Sequence, residues 1–291
     1  MSHMMNYTIN LSKAKTVFAC IAALCIAIAS IPIANGIMTA AQVGVRLPVL
    51  MYHHVLDSKS KQNKYAISTA ELEADLQYIQ KSGYTTVNVA DLINFCEKGA
   101  KLPNKPIMIT FDDGYESVYV NAYPLLKKYK MKAVINVIGK YADIYSSCDD
   151  RNINYSHITW EQLKEISQSG AFEVQNHTYD LHTIGSRKGI GKISGESEQH
   201  YHDTIAADIE KMQLRTKQAL GITPTAFAYP FGNISSSALP IIKEIGIKAV
   251  FCCWEKVNYL TGDPEQLYHI NRFNRPHGTS TEKFFSAIEK Q

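Results

Sequence analysis

The stretch PIMITFDDG, residues Pro106–Gly114, contains the pattern on which the rest of this 291-residue chain is built. Its first six residues, Pro106–Phe111, are almost entirely apolar, which predicts a strand buried on both faces. Asp112, Asp113 and Gly114 follow at once, and the glycine permits the tight turn that ends the strand. A strand covered on both faces is typical of a parallel sheet with helices packed on each side.

Outward from this strand, the chain alternates strand-like runs with helix-like segments. Capping boxes begin at Ser68 and Thr159, with Glu71 and Gln162 three residues later, and mark helix starts. The predicted strands are Pro48–Tyr52, Thr85–Val89, Pro106–Phe111, Ala133–Ile138, Phe172–Gln175, Ala226–Tyr229, Lys248–Cys252 and His269–Phe273. The predicted helices follow them, the longest being Thr204–Leu220. This alternation predicts an irregular α/β barrel of about seven to eight parallel strands, with the active site at their carboxyl ends.

Residues 1–45 differ in composition from the rest of the chain. Two lysines precede an uncharged run, Thr16–Val45, whose apolar part, Val17–Ala34, is close to the ~17–25 residues that span a bilayer. Ala27–Ala29 is an acceptable A-x-A cleavage site, so a cleaved signal peptide and an uncleaved signal anchor both remain open. Either one places the domain predicted for residues 46–291 outside the cytoplasm, and an anchor would attach it to the cytoplasmic membrane.

Composition excludes several classes of protein. Hydrophobic residues make up 45% and charged residues 20%, which is typical of a globular protein and not of a disordered or collagen-like chain. The formal net charge is only +3, so no nucleic-acid partner is expected. Beyond residue 45, Cys96, Cys148, Cys252 and Cys253 lack the CxxC spacing of a metal site. Buried free thiols are favoured, with a Cys96–Cys148 disulfide as the alternative.

Polar side chains follow four of the predicted strands. These groups are Tyr52-His53-His54, Asp112-Asp113-Gly114, Asn176-His177 with His182 five residues on, and Pro230-Phe231-Gly232. The carboxyl ends of barrel strands share one rim, where active sites form. On a helix His177 and His182 would diverge by ~140°, but in a strand-to-loop turn they can converge with a carboxylate and leave an open metal position. The alternative is that Asp112 and Asp113 only form a turn or a helix cap.

Three of these motifs carry a family resemblance. TFDDGY (Thr110–Tyr115), NHTYDLH (Asn176–His182) and AYPFG (Ala228–Gly232) resemble the signature motifs of the polysaccharide deacetylases, also called NodB-like or carbohydrate esterase family 4. The opening LPVLMYHHV (Leu47–Val55) resembles the branch that deacetylates the biofilm polysaccharide poly-β-1,6-N-acetyl-D-glucosamine. The resemblance runs from about Leu47 to Arg275, which is nearly the whole exported part of the chain.

The resemblance implies a role for each residue that matches a motif. Asp113, His177 and His182 match the metal triad of the family, which usually holds Zn²⁺. Asp112 matches the general base, and His53 the general acid of the biofilm branch. The neighbouring His54 is expected to be structural, although a swapped assignment of the two histidines stays open.

The candidate substrate-binding set is Tyr229, Pro230, Phe231 and Arg272, of which the first three are implied by the resemblance. The segment Pro230-Phe231 matches the one whose backbone N–H helps to hold the oxyanion, and Tyr229 and Phe231 would form walls of the sugar pocket. One position departs from the pattern, because Ala228 stands where many members have an arginine that orients the base. Arg272, predicted on the last strand, is the candidate to replace it from elsewhere.

The implied function is metal-dependent N-deacetylation of an extracellular N-acetylglucosamine polysaccharide, best matched by poly-β-1,6-N-acetyl-D-glucosamine, with release of acetate. The same machinery would also serve peptidoglycan, chitin oligomers or acetylated xylan. A catalytically inactive carbohydrate-binding surface protein is the non-enzyme alternative. Such a protein would be expected to have lost Asp112, Asp113 or a metal-binding histidine, and all of them are present.

Overall fold

A computed structural model describes residues 44–291. The strands are β1 (Val45–Leu47), β2 (Val49–Tyr52), β3 (His54–Val55), β4 (Ala66–Ile67), β5 (Thr85–Thr86), β6 (Pro106–Phe111), β7 (Ala133–Val137), β8 (Phe172–Asn176), β9 (Ala226–Ala228), β10 (Ala249–Phe251), β11 (Asn258–Leu260) and β12 (Phe273–Asn274). The helices are α1 (Thr69–Lys81), α2 (Val89–Lys98), α3 (Tyr123–Tyr129), α4 (Gly139–Ser146), α5 (Trp160–Gln168), α6 (Glu198–Leu220), α7 (Ala238–Glu244) and α8 (Thr281–Glu289). One π-helical turn, Val118–Ala122, precedes α3.

The central sheet is parallel and has the strand order β10-β9-β8-β7-β6-β2-β12, with β5 paired to the start of β6. Its two edges approach each other through a parallel bridge between Phe251 and Ile270. Cys252 N donates to Ile270 O at 2.8 Å, and Ile270 N donates to Val250 O at 2.9 Å. The sheet therefore curls into an irregular barrel, and the predicted α/β barrel of parallel strands is confirmed.

Side-chain alternation along β6 separates the two sides of the sheet. Ile107, Ile109 and Phe111 pack in one hydrophobic cluster with helix residues, whereas Met108 belongs to a second cluster. Because successive strand residues point to opposite faces, Thr110 and Asp112 follow Met108 toward the barrel interior. This alternation places the first carboxylate of the Asp-Asp pair inside the barrel.

Two of the helices that cover the sheet begin where the sequence predicts. Ser68 caps α1 and forms a capping box with Glu71, and Thr159 caps α5 with Gln162 in the same way. Both boxes satisfy backbone N–H groups that a helix start would otherwise leave unpaired. The buried face of α1 is made of Leu72, Leu76 and Ile79, which is the predicted apolar stripe, and the two helix predictions are confirmed.

Three local predictions need correction. The predicted last strand, His269–Phe273, is instead the end of a 3₁₀ turn, Pro264–His269, followed by β12. The long helix α6 begins at Glu198, six residues before the predicted Thr204, because Ser197 caps it. Helix α4 was missed, since its sequence has no clear apolar period. Strand pairing across the barrel, rather than local periodicity, decides where β12 lies.

The predicted export segment, residues 1–45, lies outside the described residues except for its last two positions. Its predicted end falls within β1, which pairs antiparallel with β11. Between residues 44 and 291, none of the helices combines the length and the apolar character needed to cross a bilayer. The four cysteines in this part of the chain are free, as predicted, but only Cys252 is buried and Cys148 is exposed.

Candidate active site

A pocket of about 610 Å³ opens at the carboxyl ends of β2, β6, β8 and β9. The residues that line it include His53, Asp112, Asp113, His177, His182, Tyr229 and Phe231. Every residue of this group follows or ends one of these strands. The predicted convergence of polar strand ends at one rim is therefore present in the structure.

Asp113, His177 and His182 meet at the floor of this pocket. Asp113 Oδ1 lies 3.4 Å from His177 Nε2 and 3.3 Å from His182 Nε2. One potential ligand atom from each of the three side chains lies within 4.8 Å of the others. Asp113 Oδ1 is buried and has no hydrogen-bond partner. A buried carboxylate oxygen without a donor is costly, so the arrangement fits a bound cation.

The protonation of the two histidines suits a metal ligand. His177 Nδ1 lies 2.8 Å from the carbonyl oxygen of Ala228, and a proton on Nδ1 donated to that oxygen leaves the Nε2 lone pair facing Asp113. Burial and the neighbouring His177 lower the pKa of His182 to about 4, so its ring is neutral at pH 7. One carboxylate and two imidazoles form a donor set that zinc prefers, with a position left for a further ligand.

Asp113 and His177 favour each other's charged form. Burial opposes a charged carboxylate, yet the close histidines hold the pKa of Asp113 well below its usual range. Burial likewise opposes a charged imidazole, but Asp113 and Asp112 raise the pKa of His177. The negative charges of Asp113 and Asp112 therefore make the floor of the pocket favourable for a cation.

Asp112 is held by a different set of side chains. Arg272 binds it in a bidentate manner, with Nη1 donating to Oδ1 at 2.7 Å and Nη2 to Oδ2 at 2.8 Å. Asn136 Nδ2 also donates to Oδ1, at 2.7 Å. Burial alone would raise the pKa of Asp112, but the positive charge of Arg272 outweighs it and lowers the pKa to about 2. The carboxylate is therefore ionised and fixed in orientation.

The position of Arg272 corrects one part of the predicted substrate-binding set. Its side chain is completely buried and is absent from the lining of the pocket, where Tyr229 and Phe231 are found. The guanidinium also contacts Thr110 Oγ1 at 3.2 Å and the carbonyl of Cys252 at 3.1 Å. Arg272 thus lies behind Asp112 rather than at the pocket wall. From there it can orient Asp112, the role that many family members give to an arginine at the position of Ala228.

Strained backbone accompanies these side chains. Asp113, Thr178 and Phe231 have positive φ angles of 69°, 73° and 58°, a region that residues other than glycine rarely adopt. Each follows a strand of the rim, after β6, β8 and β9 respectively. At Asp113 this turn, continued by Gly114 with φ 73°, directs the second carboxylate away from the first.

The two adjacent histidines are in different environments. His54 Nδ1 lies 3.1 Å from Ser117 Oγ, and its ring stacks on Tyr115 with centroids 3.4 Å apart. His53 Nδ1 is buried without a hydrogen-bond partner, and its ring lies against Tyr65 with centroids 4.9 Å apart. Burial lowers the pKa of His53, with the charges of Asp113 and Asp112 acting in the opposite direction. His54 is held by Ser117 and Tyr115, whereas Nδ1 of His53 has no hydrogen-bond partner among the described residues.

The segment after β9 supplies a backbone donor and an aromatic wall. Phe231 is 39% exposed, and its ring lies against His182 with centroids 4.3 Å apart. Among residues 44–291, the Phe231 N–H donates no hydrogen bond, whereas the N–H of the following Gly232 donates to the carbonyl oxygen of Tyr229. Tyr229 is almost completely buried, so its contact with a sugar is limited to the edge that lines the pocket.

Sequence reasoning missed several residues of the site. Asn136 interrupts the otherwise apolar strand β7 (AVINV), and this single polar residue was the signal that could have found it. Other unpredicted members of the pocket lining include Lys64, Tyr65, Tyr115, Lys188 and Glu255. Lys64 and Tyr65 come from the loop that precedes β4, which carries no recognisable motif.

Fold and site together define a class, the α/β-barrel enzymes with a candidate metal centre at the strand ends. A family model described as polysaccharide deacetylase matches residues 99–250, just over half of the chain. The chain therefore belongs to the polysaccharide deacetylase family, a family of hydrolases, and the resemblance seen in its motifs is confirmed.

Individual relatives agree with this assignment. A poly-β-1,6-N-acetyl-D-glucosamine N-deacetylase of Staphylococcus aureus is 30% identical over 200 residues, which are 68% of this chain and 65% of that relative. The match thus spans just under two thirds of the relative's length. The solved structure of IcaB from Ammonifex degensii has a TM-score of 0.68 and 30% identity, covering 85% of this chain and 98% of that one. A de-N-acetylase from Aggregatibacter actinomycetemcomitans has a TM-score of 0.70 and 25% identity, with 84% and 99% covered.

Proposed function

We propose that this protein is a metal-dependent N-deacetylase of an extracellular N-acetylglucosamine polysaccharide, and that its substrate is poly-β-1,6-N-acetyl-D-glucosamine. The observation that carries the proposal is the meeting of Asp113, His177 and His182 in one pocket with Asp112 and His53. The name of the Staphylococcus aureus relative supports the choice of substrate.

Asp113, His177 and His182 would hold the metal, and their mixture of one oxygen and two nitrogen donors favours zinc over magnesium or calcium. When bound, zinc lowers the pKa of a water ligand to about 7 and polarises a carbonyl oxygen. The hydrogen bond from His177 to the carbonyl of Ala228 keeps that ring in its ligand orientation.

Asp112 would take the proton of the attacking water. Its Oδ1 accepts hydrogen bonds from Arg272 and Asn136, whereas Oδ2 accepts only one from Arg272. A carboxylate oxygen has two lone pairs, so Oδ2 keeps the capacity to accept the proton. Such a positioned base typically contributes about 10²–10⁴-fold to the rate.

Protonated His53 would donate a proton to the departing sugar nitrogen, and the charges of Asp113 and Asp112 would favour that protonated form against the effect of burial. The Phe231 N–H would hold the oxyanion. The His53 ring lines the pocket and has no hydrogen-bond partner among the described residues. His54, tied to Ser117, would keep a structural role. The exposed ring of Phe231 would pack against a sugar at the pocket wall.

Acetate release from defined oligomers tests the proposal. Zinc-loaded protein is incubated with N-acetylglucosamine oligomers of β-1,6 and of β-1,4 linkage, and acetate and oligomer mass are both measured. Release from the β-1,6 oligomers alone is expected. Release only from β-1,4 oligomers, peptidoglycan or acetylated xylan would replace the substrate. A zinc-loaded protein that binds glycans and releases no acetate would instead be the inactive carbohydrate-binding protein.

We also propose that the protein works outside the cytoplasm, secreted or held at the outer face of the membrane by its N-terminal segment. Support comes from the sequence alone, where two lysines precede the apolar run Val17–Ala34. Mass spectrometry of the mature N-terminus after cell fractionation distinguishes a cleaved signal from an anchor. Recovery of the unprocessed chain from the cytoplasm would contradict both.

A further inference from the structure

The turn that joins the two histidines of the metal triad has an unfavourable backbone. Thr178, the first residue after His177, has a φ angle of 73°, although a β-branched residue tolerates this region poorly. Its hydroxyl is buried without a hydrogen-bond partner. Within the turn, the Thr178 N–H donates to Asn176 Oδ1 at 2.8 Å. The amides that follow, of Tyr179 and Asp180, are bound from outside the turn.

One carboxylate on helix α6 binds two successive amides of this turn. Asp208 Oδ1 accepts the N–H of Tyr179 at 2.7 Å, and Asp208 Oδ2 accepts the N–H of Asp180 at 2.8 Å. Both oxygens are engaged with the backbone, and Asp208 does not line the pocket. The side chain acts on the segment between the ligands without being a ligand itself.

The other side of the turn is held by helix α4. The N–H groups of Gly139 and Lys140 donate to the carbonyl oxygens of Thr178 at 3.1 Å and Tyr179 at 2.8 Å. The Tyr179 hydroxyl donates to Asp143 Oδ2 at 2.9 Å. Helix α4 thus takes the carbonyls and Asp208 takes the amides, which fixes the peptide planes from both sides.

Ionised Asp208 is not favoured by its surroundings. Burial raises its pKa to about 6 against the effect of the two amide donors. Lys211, the cation that acts on it, only partly offsets this cost. A partly buried carboxylate with such a cost is consistent with a role that depends on its two-acceptor geometry.

We propose that Asp208 is a positioning residue of the metal centre, which holds the Tyr179–Asp180 amides so that His182 stays in place beside Asp113. This inference rests on the proposed metal site and adds to it a residue distant from the ligands. Without Asp208 the three ligand side chains remain, but the turn that orients His182 loses its support on one side.

The test compares Asp208→Asn with Asp180→Asn. In Asp208→Asn one oxygen still accepts an N–H, but the new NH₂ group faces the second N–H, donor against donor. Asp180→Asn makes the same chemical change in the same turn, where the carboxylate forms a surface ion pair with Lys140. Its charge raises the pKa of Asp208, so its removal favours ionised Asp208. Zinc affinity is measured by competition with a chromophoric chelator, and folding by circular dichroism and thermal unfolding of the metal-free proteins.

The expected result is a loss of zinc affinity of about 10–100-fold in Asp208→Asn, the range for partners that orient metal ligands, and unchanged affinity in Asp180→Asn. If Asp208→Asn does not fold, Asp208→Ser, which keeps an acceptor for one amide, replaces it with the same expected direction. A folded Asp208 variant with wild-type zinc affinity would overturn the inference while the proposed function stands. A wild-type protein that binds no divalent metal would overturn the proposed function itself.

Discussion

Asp112 and Asp113 are neighbours in the chain, yet their carboxylates lie in different environments. Strand alternation turns Asp112 toward the barrel interior, where Arg272 meets it. The positive φ of Asp113 turns the next carboxylate toward the histidines. A left-handed residue other than glycine costs roughly 1–2 kcal/mol, so the separation of the two carboxylates is obtained at the expense of stability.

The role assignment predicts two groups of variants. Asp112→Asn and His53→Ala are expected to lose deacetylation by about 10²–10⁴-fold, the range for a lost general base or acid, and to keep their zinc. Asp113→Ala and His177→Ala are expected to lose zinc as well, because each removes a ligand. Acetate release and zinc content are measured on the same preparations. Equal activity in all four variants would contradict the assignment.

Asn136 is expected to matter for turnover although it does not line the pocket. Its hydrogen bond to the charged Asp112 is of a type worth about 1.5–3 kcal/mol. Asn136→Ala should therefore lower kcat by roughly 10–100-fold and leave zinc content and KM unchanged.

Two further variants test whether a loss of kcat in Asn136→Ala is due to the orientation of Asp112. Arg272→Ala should lower kcat at least as much as Asn136→Ala, because it removes both donors of a bidentate pair. Asn258→Ala is the control, because Asn258 is also buried and hydrogen-bonded but lies away from the pocket lining. It should lose stability and keep its kcat. Full turnover in Arg272→Ala would show that Asp112 needs no orienting arginine.

At the scale of elements, the start of helix α1 is tied to the loop after β12. Glu71 completes the capping box with Ser68, and the same carboxylate accepts the Gly278 N–H at 2.9 Å and lies 2.8 Å from His277 Nδ1. One side chain therefore caps the start of a helix and holds a distant loop. The contact closes a gap of 207 residues along the chain.

These contacts predict an acid-dependent loss of stability. Burial alone would raise the pKa of Glu71, but the hydrogen bonds from Ser68, His277 and Gly278 lower it from 4.5 to about 2. Because the folded pKa lies below the usual one, ionised Glu71 stabilises the fold above pH 4.5. This contribution is lost as the pH falls from 4.5 toward 2.

Urea unfolding at several pH values checks this prediction. The difference in unfolding free energy between wild type and Glu71→Gln should be greatest near neutral pH and shrink as the pH falls below 4.5. Glu210→Gln is the control, because Glu210 is exposed on α6 and forms no ion pair within residues 44–291. A difference between wild type and Glu71→Gln that does not change with pH would refute the prediction.

For the whole molecule, a buried ion pair joins segments that are far apart in the chain. Arg275 Nε donates to Asp75 Oδ2 at 2.7 Å, and both side chains are fully buried. The hydroxyl groups of Tyr52 and Thr281 donate to the same carboxylate at 3.0 and 2.6 Å. The cluster thus connects α1, the end of β2, the loop after β12 and the start of α8.

Removing only the arginine of this ion pair is expected to lower the stability of the protein strongly. Arg275→Met should destabilise the protein by about 3–5 kcal/mol, because it leaves Asp75 as a buried charge without a cation. In the double variant Asp75→Asn/Arg275→Met no charge remains, and the amide oxygen can still accept a hydroxyl donor. Chemical denaturation should find the double variant more stable than Arg275→Met. A double variant at least as unstable as the single one would show that packing, and not the charge, dominates.

Much of the architecture could be predicted from neighbouring residues. The apolar run before Asp112, the capping boxes at Ser68 and Thr159 and the alternation of strands with helices are local patterns, and local patterns reflect backbone preferences that act within a few residues. The residue types of the candidate metal site were also predictable, because each follows a recognisable strand end. Helix α4 and the place of β12 were not, since packing against other elements decides them.

Contacts between residues that are far apart in the chain form only when the chain is folded. Arg272 and Asp112 are 160 residues apart, and Asp208 and Tyr179 are 29 apart on different elements. Periodicity and motifs carry no information on which interior side chain meets which, because that depends on how strand twist and helix packing bring the rim together. The linear order of residues thus specified the elements and the chemical types at the rim, whereas three-dimensional packing determined their partners, orientation and charge.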